Sequence, residues 1–286
     1  MRLLLYIFAF ALISTCQAQK SDFQAATHNI IVANGIVGGI GSLINKKKDE
    51  RTLPVFIKGF TQGALGGYLN FESKKLVRKF GDSGNYKYLW PSKLINAAAN
   101  SITLNAASNR NFWERWVLNI GFNHFEFDTK KDVKFRYRIM PFALANFSYG
   151  FTQGRLEIGK TFLSGNFIFS TSTKNDVYDG RAIANNLIYK RGLGDREQIV
   201  IAHETIHVFQ YEGYFWFNNF FQNSPLFESR TFYIDYNYIL LRALHDSQKL
   251  FGVPYSDRFY EKEAFYFQKT PLKITRSKIL FNVKKQ

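Results

Sequence analysis

Cysteine is nearly missing from this chain of 286 residues: Cys16 is the only one. That rules out an internal disulfide, a thiolate-rich zinc site and, if the N-terminal segment is removed, a thiol nucleophile. Any staple or reactive centre must come from other side chains. Acidic residues are also scarce, 22 against 38 lysines and arginines, so the formal net charge is +16. Long apolar runs are interrupted, and none beyond the N-terminus reaches the roughly 20 residues that span a bilayer. Proline is sparse at six residues and histidine sparser at five. What the chain has in abundance is aromatic surface, 30 Phe and 16 Tyr. Such a load suits lipid contact, binding grooves or an aromatic core.

The first residues, MRLLLYIFAFALISTCQAQK, place Arg2 before an apolar stretch over 3–13 and a small residue at Ala18. This pattern predicts a secretory signal peptide over residues 1–18. Cys16 in ISTC offers lipidation as an alternative reading. An exported chain of this charge is expected to meet anionic lipid or another membrane polyanion, and no nucleic acid. The expected location is the periplasm or outer membrane of a Gram-negative bacterium, with an envelope protein complex as a further possible partner.

Three regions follow. Residues 19–110 read as a helical region, either membrane-associated or a hairpin buried in a soluble core. NIIVANGIVGGIGSLI (29–44) and LPVFIKGFTQGALGGYL (53–69) are apolar and glycine-rich, with Gly59, Gly63 and Gly67 four apart. Small residues at that spacing let two helices approach closely, so a helical hairpin is expected. WPSKLINAAANSITLNAAS (90–108) reads as a third helix. Residues 111–286 are expected to hold a sheet and a zincin-like helical region. Alternation over 113–190 predicts an antiparallel β-meander. SPLFESRTFYIDYNYILLRALHDSQKLFG (224–252) predicts one helix, with Ser224 as its N-cap. The expected fold class is α+β: a glycine-rich helical hairpin, a central meander, and a C-terminal helix pair.

The chemistry concentrates in AHETIHVFQYE (202–212). On a helix His203 and His207 project from one face and can share a tetrahedral metal. Glu204 adjoins that face and can take a proton from a metal-bound water without ligating. The plainer reading is a helix whose two histidines are satisfied by hydrogen bonds. A zinc site needs a third protein ligand. Glu228, 21 residues after His207, is the first candidate, with Glu212 and Asp235 as alternatives. HETIH with a glutamate some twenty residues on resembles the gluzincins, the thermolysin-like zinc metallopeptidases, over about residues 200–245. That resemblance implies Zn2+ held by His203, His207 and Glu228, with Glu204 as general base. The family's usual acidic residue four positions after the third ligand is replaced here by Phe232. Asp235 is then a candidate to orient a ligand histidine, and His245, Arg242, Tyr211 and Tyr214 are candidates to stabilise an oxyanion. His28 and His124 are expected to be structural.

The leading functional expectation is therefore an exported, membrane-associated zinc metallopeptidase acting on a polypeptide substrate. The alternative is a non-enzymatic cell-envelope component with a structural or vestigial metal site.

Overall fold

A computed structural model describes residues 21–130, 134–172, 178–213, 216–221, 223 and 229–270. The proposed signal peptide, Cys16, Tyr214 and Glu228 lie outside the described residues.

The first helix, α1 (Asp22–Ile44), widens into a π-helical stretch over His28–Gly35. It turns through 45–51 into α2 (Thr52–Ser83), a 32-residue helix that carries the second glycine-rich run and continues past it. The third helix, α3 (Leu89–Ala107), packs on both. The hairpin closes on glycine. A Cβ at Gly59 would lie 2.5 Å from the Gly38 carbonyl oxygen, one at Gly63 2.3 Å from that of Asn34, and one at Gly67 2.2 Å from that of Asn29. These distances are below any real contact, so side-chain-free positions on successive turns of α2 are what permit the approach. α1 is long and apolar enough to cross a membrane, but over half of its most apolar window is buried against the rest of the molecule. Its polar residues His28, Asn29 and Asn34 are buried as well.

The sheet region departs from a single meander. Strands β1 (Arg115–Ile120), β2 (Asn123–Asp128) and β3 (Phe135–Ile139) form the expected antiparallel meander. PFALANFSYGF, expected to continue as strand up to a turn at TQG, is instead part of helix α4 (Pro141–Gln153). Proline at the first helical position fits, and the aromatic residues supply one packing face rather than alternation. RLEIGKTF divides between a two-residue strand β4 (Arg155–Leu156) and a short helix α5 (Ile158–Ser164). A second sheet is built from β4, β5 (Phe167–Thr171), β6 (Gly180–Ile183) and β7 (Asn186–Lys190). Its order is β4-β5-β7-β6, with β5 and β7 parallel and the other pairs antiparallel. That leaves β6 on an edge. The fold class is α+β.

Helix α6 (Glu197–Gly213) crosses behind this sheet, burying Ile201, Ala202, Ile206, Val208 and Phe209 in the main core. After α7 (Trp216–Phe220) the chain does not form one helix over 224–252. Residues 229–235 are non-helical, and Phe232 bridges to Ile139 beside β3. Helix α8 (Tyr236–Leu250) begins only after Asp235. A 3-10 turn, Tyr255–Asp257, leads into α9 (Phe259–Phe267), which docks on α6.

Replacing Gly67 by alanine sets a helix-propensity gain of about 1 kcal/mol against overpacking of about 1–3 kcal/mol. The 2.2 Å clash is with backbone, so overpacking wins. Gly67→Ala is expected to lower Tm, and a thermal melt that rises instead would show that the hairpin is looser than described.

Candidate metal centre

Helix α6 brings His203 and His207 to one face, as the i, i+4 spacing requires. Their Nε2 atoms lie 3.1 Å apart. The third group is Glu261, from the first turn of α9, 54 positions beyond His207. Its Oε2 lies 3.1 Å from His203 Nε2 and 3.4 Å from His207 Nε2. Among the described residues this is the one cluster of histidine, cysteine and carboxylate groups close enough to share an ion. A tetrahedral ion with bonds of about 2.0–2.2 Å holds its ligand atoms about 3.3–3.5 Å apart. The three atoms therefore stand within a few tenths of an ångström of the spacing that zinc imposes.

The outer hydrogen bonds make the same point chemically. His207 Nδ1 faces Gln210 Oε1 at 2.8 Å, and His203 Nδ1 faces Gln268 Oε1 at 3.1 Å. The orientation of Gln210 is fixed, because its Nε2 donates to the Tyr260 carbonyl at 3.0 Å and to Glu263 at 2.9 Å. Its oxygen can only accept, so His207 donates through Nδ1. If Gln268 likewise presents its oxygen, both Nε2 atoms turn lone pairs towards a carboxylate. Three electron-rich atoms at 3.1–3.4 Å need a cation between them, either protons or a metal. Burial opposes charging His207, but the Glu261 carboxylate raises it to about 9. Burial also works against the Glu261 charge, yet its hydrogen bonds to the two histidines hold the carboxyl well below the usual carboxylate range.

Glu204 sits on the side of α6 facing the sheet. Burial raises its pKa, opposed by the two histidines, and it accepts a hydrogen bond from the Ala182 backbone. A Cβ at Gly180 would come 2.8 Å from Glu204 Oε1. The edge strand β6 therefore passes directly over Glu204, and only glycine leaves room at that point. A cleft of about 990 Å³ opens here, lined by Glu204, His207, Glu261, the β6 backbone and Tyr255. Tyr255 hydrogen-bonds Glu261, and burial with the nearby carboxylates keeps its phenol protonated.

Of the expected residues, His203, Glu204 and His207 come together. Beside the histidine pair the structure brings Glu261, whereas Glu228, the third ligand expected from the sequence, lies outside the described residues. Glu212 turns away to Lys93, at 3.5 Å, and to Asn96, at 3.0 Å. Asp235 lies in a separate small cavity with His124, Tyr211 and Tyr233, so Gln210 and Gln268 do the orienting expected of it. His245 and Arg242 line the large cleft, but Arg242 is paired to Asp246 at 2.9 Å and His245 faces Arg258 at 3.1 Å. Neither touches the histidine pair in the described contacts. His28 and His124 are buried, and burial lowers the pKa of both, His28 to about 4.

Glu261 was missed because α9 was missed. Its signal is FYEKEAFYF (259–267), two carboxylates two apart among five aromatic residues. Burying the aromatics takes Glu261 and Glu263 inside, and each buried carboxylate then requires a cation. Glu263 finds Lys74 of α2 at 2.8 Å, with both side chains 1% exposed. Asn29 of α1 bonds both, at 2.8 Å to Lys74 and 3.1 Å to Glu263.

No protein-family model, curated protein or solved structure matches this chain.

Burial alone would raise the Glu263 carboxyl, but the Lys74 charge overrides it and holds it at about 2. A folded-state value below the ordinary 4.5 means the pair contributes stability above that pH, and the contribution is lost as pH falls from about 4.5 to about 2. Chemical denaturation across that window should show the decline. Lys74→Met, which leaves Glu263 buried and unpaired, should cost about 3–5 kcal/mol at neutral pH and flatten the acid limb. A variant as stable as wild type would remove the pair from the account of the site.

Proposed function

We propose that the chain is a zinc-dependent hydrolase of peptide bonds, with His203, His207 and Glu261 as metal ligands and Glu204 as general base. The observation that carries this reading is the convergence of three ligand atoms at tetrahedral spacing beside a buried carboxylate that does not belong to the triad. Zinc fits the donor set of two imidazoles and a carboxylate. Bound there, it would polarise a substrate carbonyl and acidify a water.

The chain's own residues account for the remaining tasks. Gln210 holds His207 in the tautomer that presents Nε2 inward, and Gln268 contacts the corresponding Nδ1 of His203. Glu204, its pKa raised by burial, is suited to accept a proton and later return it to a leaving amine. Tyr255 places a phenolic proton at the edge of the triad, where it can donate to a developing oxyanion. β6 is an edge strand whose residues line the cleft, the placement from which a sheet can receive an extended peptide.

A structural metal site in an envelope component is the competing reading. Structural zinc is closed by a fourth protein ligand. Among the described residues three groups converge, and His207, Glu261 and Glu204 all border the open cleft. That arrangement favours the catalytic reading.

Metal analysis of the purified protein with activity on a peptide library tests this. Wild type should carry one zinc per chain. His203→Ala and Glu261→Ala should lose it, whereas Glu228→Ala should retain it. Glu204→Gln should keep the zinc and lose at least about a hundredfold in kcat, as expected for a missing general base. Zinc retained in Glu261→Ala and lost in Glu228→Ala would return the third ligand to Glu228. Zinc bound with Glu204→Gln fully active would end the general-base assignment. A well-folded wild type that binds no metal would leave the two histidines as a hydrogen-bonded pair.

A further inference from the structure

The cleft beside the histidine pair carries charge of both signs. Glu204 and Glu261 stand with the histidines, and helix α8 supplies another part of the lining. Leu241, Arg242, His245 and Lys249 recur at helical spacing along α8, so one face of that helix meets the cavity. Arg258, the N-cap residue of α9, joins them. It stands three positions before Glu261. A short stretch of chain thus presents both a carboxylate of the cluster and a guanidinium to the same space.

Part of the positive charge is matched and part is not. Arg242 pairs with Asp246 at 2.9 Å, and Asp246 also faces His245 Nδ1 at 3.3 Å. On its other side His245 Nε2 lies 3.1 Å from Arg258 Nη1. An arginine can only donate, so Nε2 accepts and the imidazole is neutral. The second contact of Arg258 is the Val253 carbonyl, at 3.4 Å. Neutral partners of this kind fix the position of a guanidinium without cancelling its charge. A guanidinium has five N–H donors in a planar fork that matches a carboxylate, and these two contacts leave most of them unused. Among the described residues neither Arg258 nor Lys249 has an acidic partner.

Tyr255 shows where that charge lies. Arg258 Cζ sits over its ring, 5.4 Å from the centroid, and the phenol of the same residue hydrogen-bonds Glu261. One phenol ring therefore separates the guanidinium from the histidine–carboxylate cluster. An extended peptide advances about 3.3–3.6 Å per residue, so about two residues cross that gap. We infer that Arg258, assisted by Lys249, receives a substrate carboxylate, and that the cleft selects peptides with a negative charge about two residues from the bond at the cluster. The carboxylate is a chain terminus or an acidic side chain, and the same fork recognises either. What becomes of the bound peptide rests on the hydrolase reading; its selection does not.

Fluorescence anisotropy with the full chain carrying Glu204→Gln, which removes the proposed general base, tests this. The probes are N-terminally labelled peptides of one alanine–leucine core: the free acid, its C-terminal amide, an amide with an internal glutamate, and the same amide with glutamine. At least one acidic peptide should bind about tenfold or more tighter than its neutral counterpart, the effect of a charge-assisted hydrogen bond. Preference for the free acid makes the ligand a chain terminus, and preference for glutamate makes it a side chain. Arg258→Gln should bring the ratio close to one with circular dichroism unchanged, and Arg258→Lys should restore part of it. Equal binding of all four peptides overturns the inference. So does an acid preference that survives in Arg258→Gln, which would place the carboxylate on the histidine cluster instead. If Arg258→Gln misfolds, Lys249→Glu at its exposed position carries the test, and an undiminished ratio there overturns the inference equally. Failure here and failure of the hydrolase reading are distinguishable. Wild type that cleaves peptides without acid preference ends this inference alone, whereas acid-selective binding with no cleavage by wild type supports it and ends the hydrolase reading.

Discussion

The Lys74–Glu263 pair is the constraint on which the rest depends. Two opposite charges, each about 1% exposed, lie 2.8 Å apart between α2 and α9. Desolvating either alone would cost several kcal/mol, so neither helix can take its place without the other. Glu263 is two residues from Glu261, and its second oxygen accepts from Gln210, which in turn orients His207. One buried charge pair thus sets the docking of α9, the position of Glu261 beside the histidine pair and the tautomer of a histidine. Asn29 bonds both partners, which ties the first helix to the same knot.

Glycine permits this arrangement from behind. Gly59, Gly63 and Gly67 let α1 close on α2, and that closure is what delivers Asn29 to Lys74. Further along α2, a Cβ at Gly81 would lie 1.7 Å from the Gln268 carbonyl oxygen. The chain leaving α9 runs against bare helix backbone there, and Gln268 reaches back to His203. The glycine-rich hairpin is therefore a scaffold for residues some two hundred positions downstream.

Local chemistry was legible in the sequence and distant chemistry was not. HETIH declares its own face through helical spacing, and the glycine stripe declares a close helix contact. Both depend on residues within one or two turns. PFALANFSYGF has the aromatic alternation of a strand, but Pro141 and the packing of Phe147 and Phe151 on Phe169 make it helix. SPLFESRTF carries good capping residues, yet residues 229–235 run alongside β3, where Phe232 bridges Ile139. Tertiary pairing outweighed local preference in both segments. Glu261 was hidden for a different reason. Nothing within a few residues of it names its partners; only the cost of burying two carboxylates among aromatics hints at them. The meander was half visible, since alternation gives two faces but does not say which one packs on α3.

Gln268 stands close to the end of the described chain, and Glu261 and Glu263 only shortly before it. A chain that emerges N-terminus first carries both histidines and Glu204 long before any of these three. Until then the imidazoles lack their carboxylate, Lys74 lacks its counter-ion, and α6 lacks the helix that covers it. Assembly of the cluster is thus timed by the polymer itself: the nascent chain holds two imidazoles without their carboxylate, and the cluster is completed only in the step that seals the core.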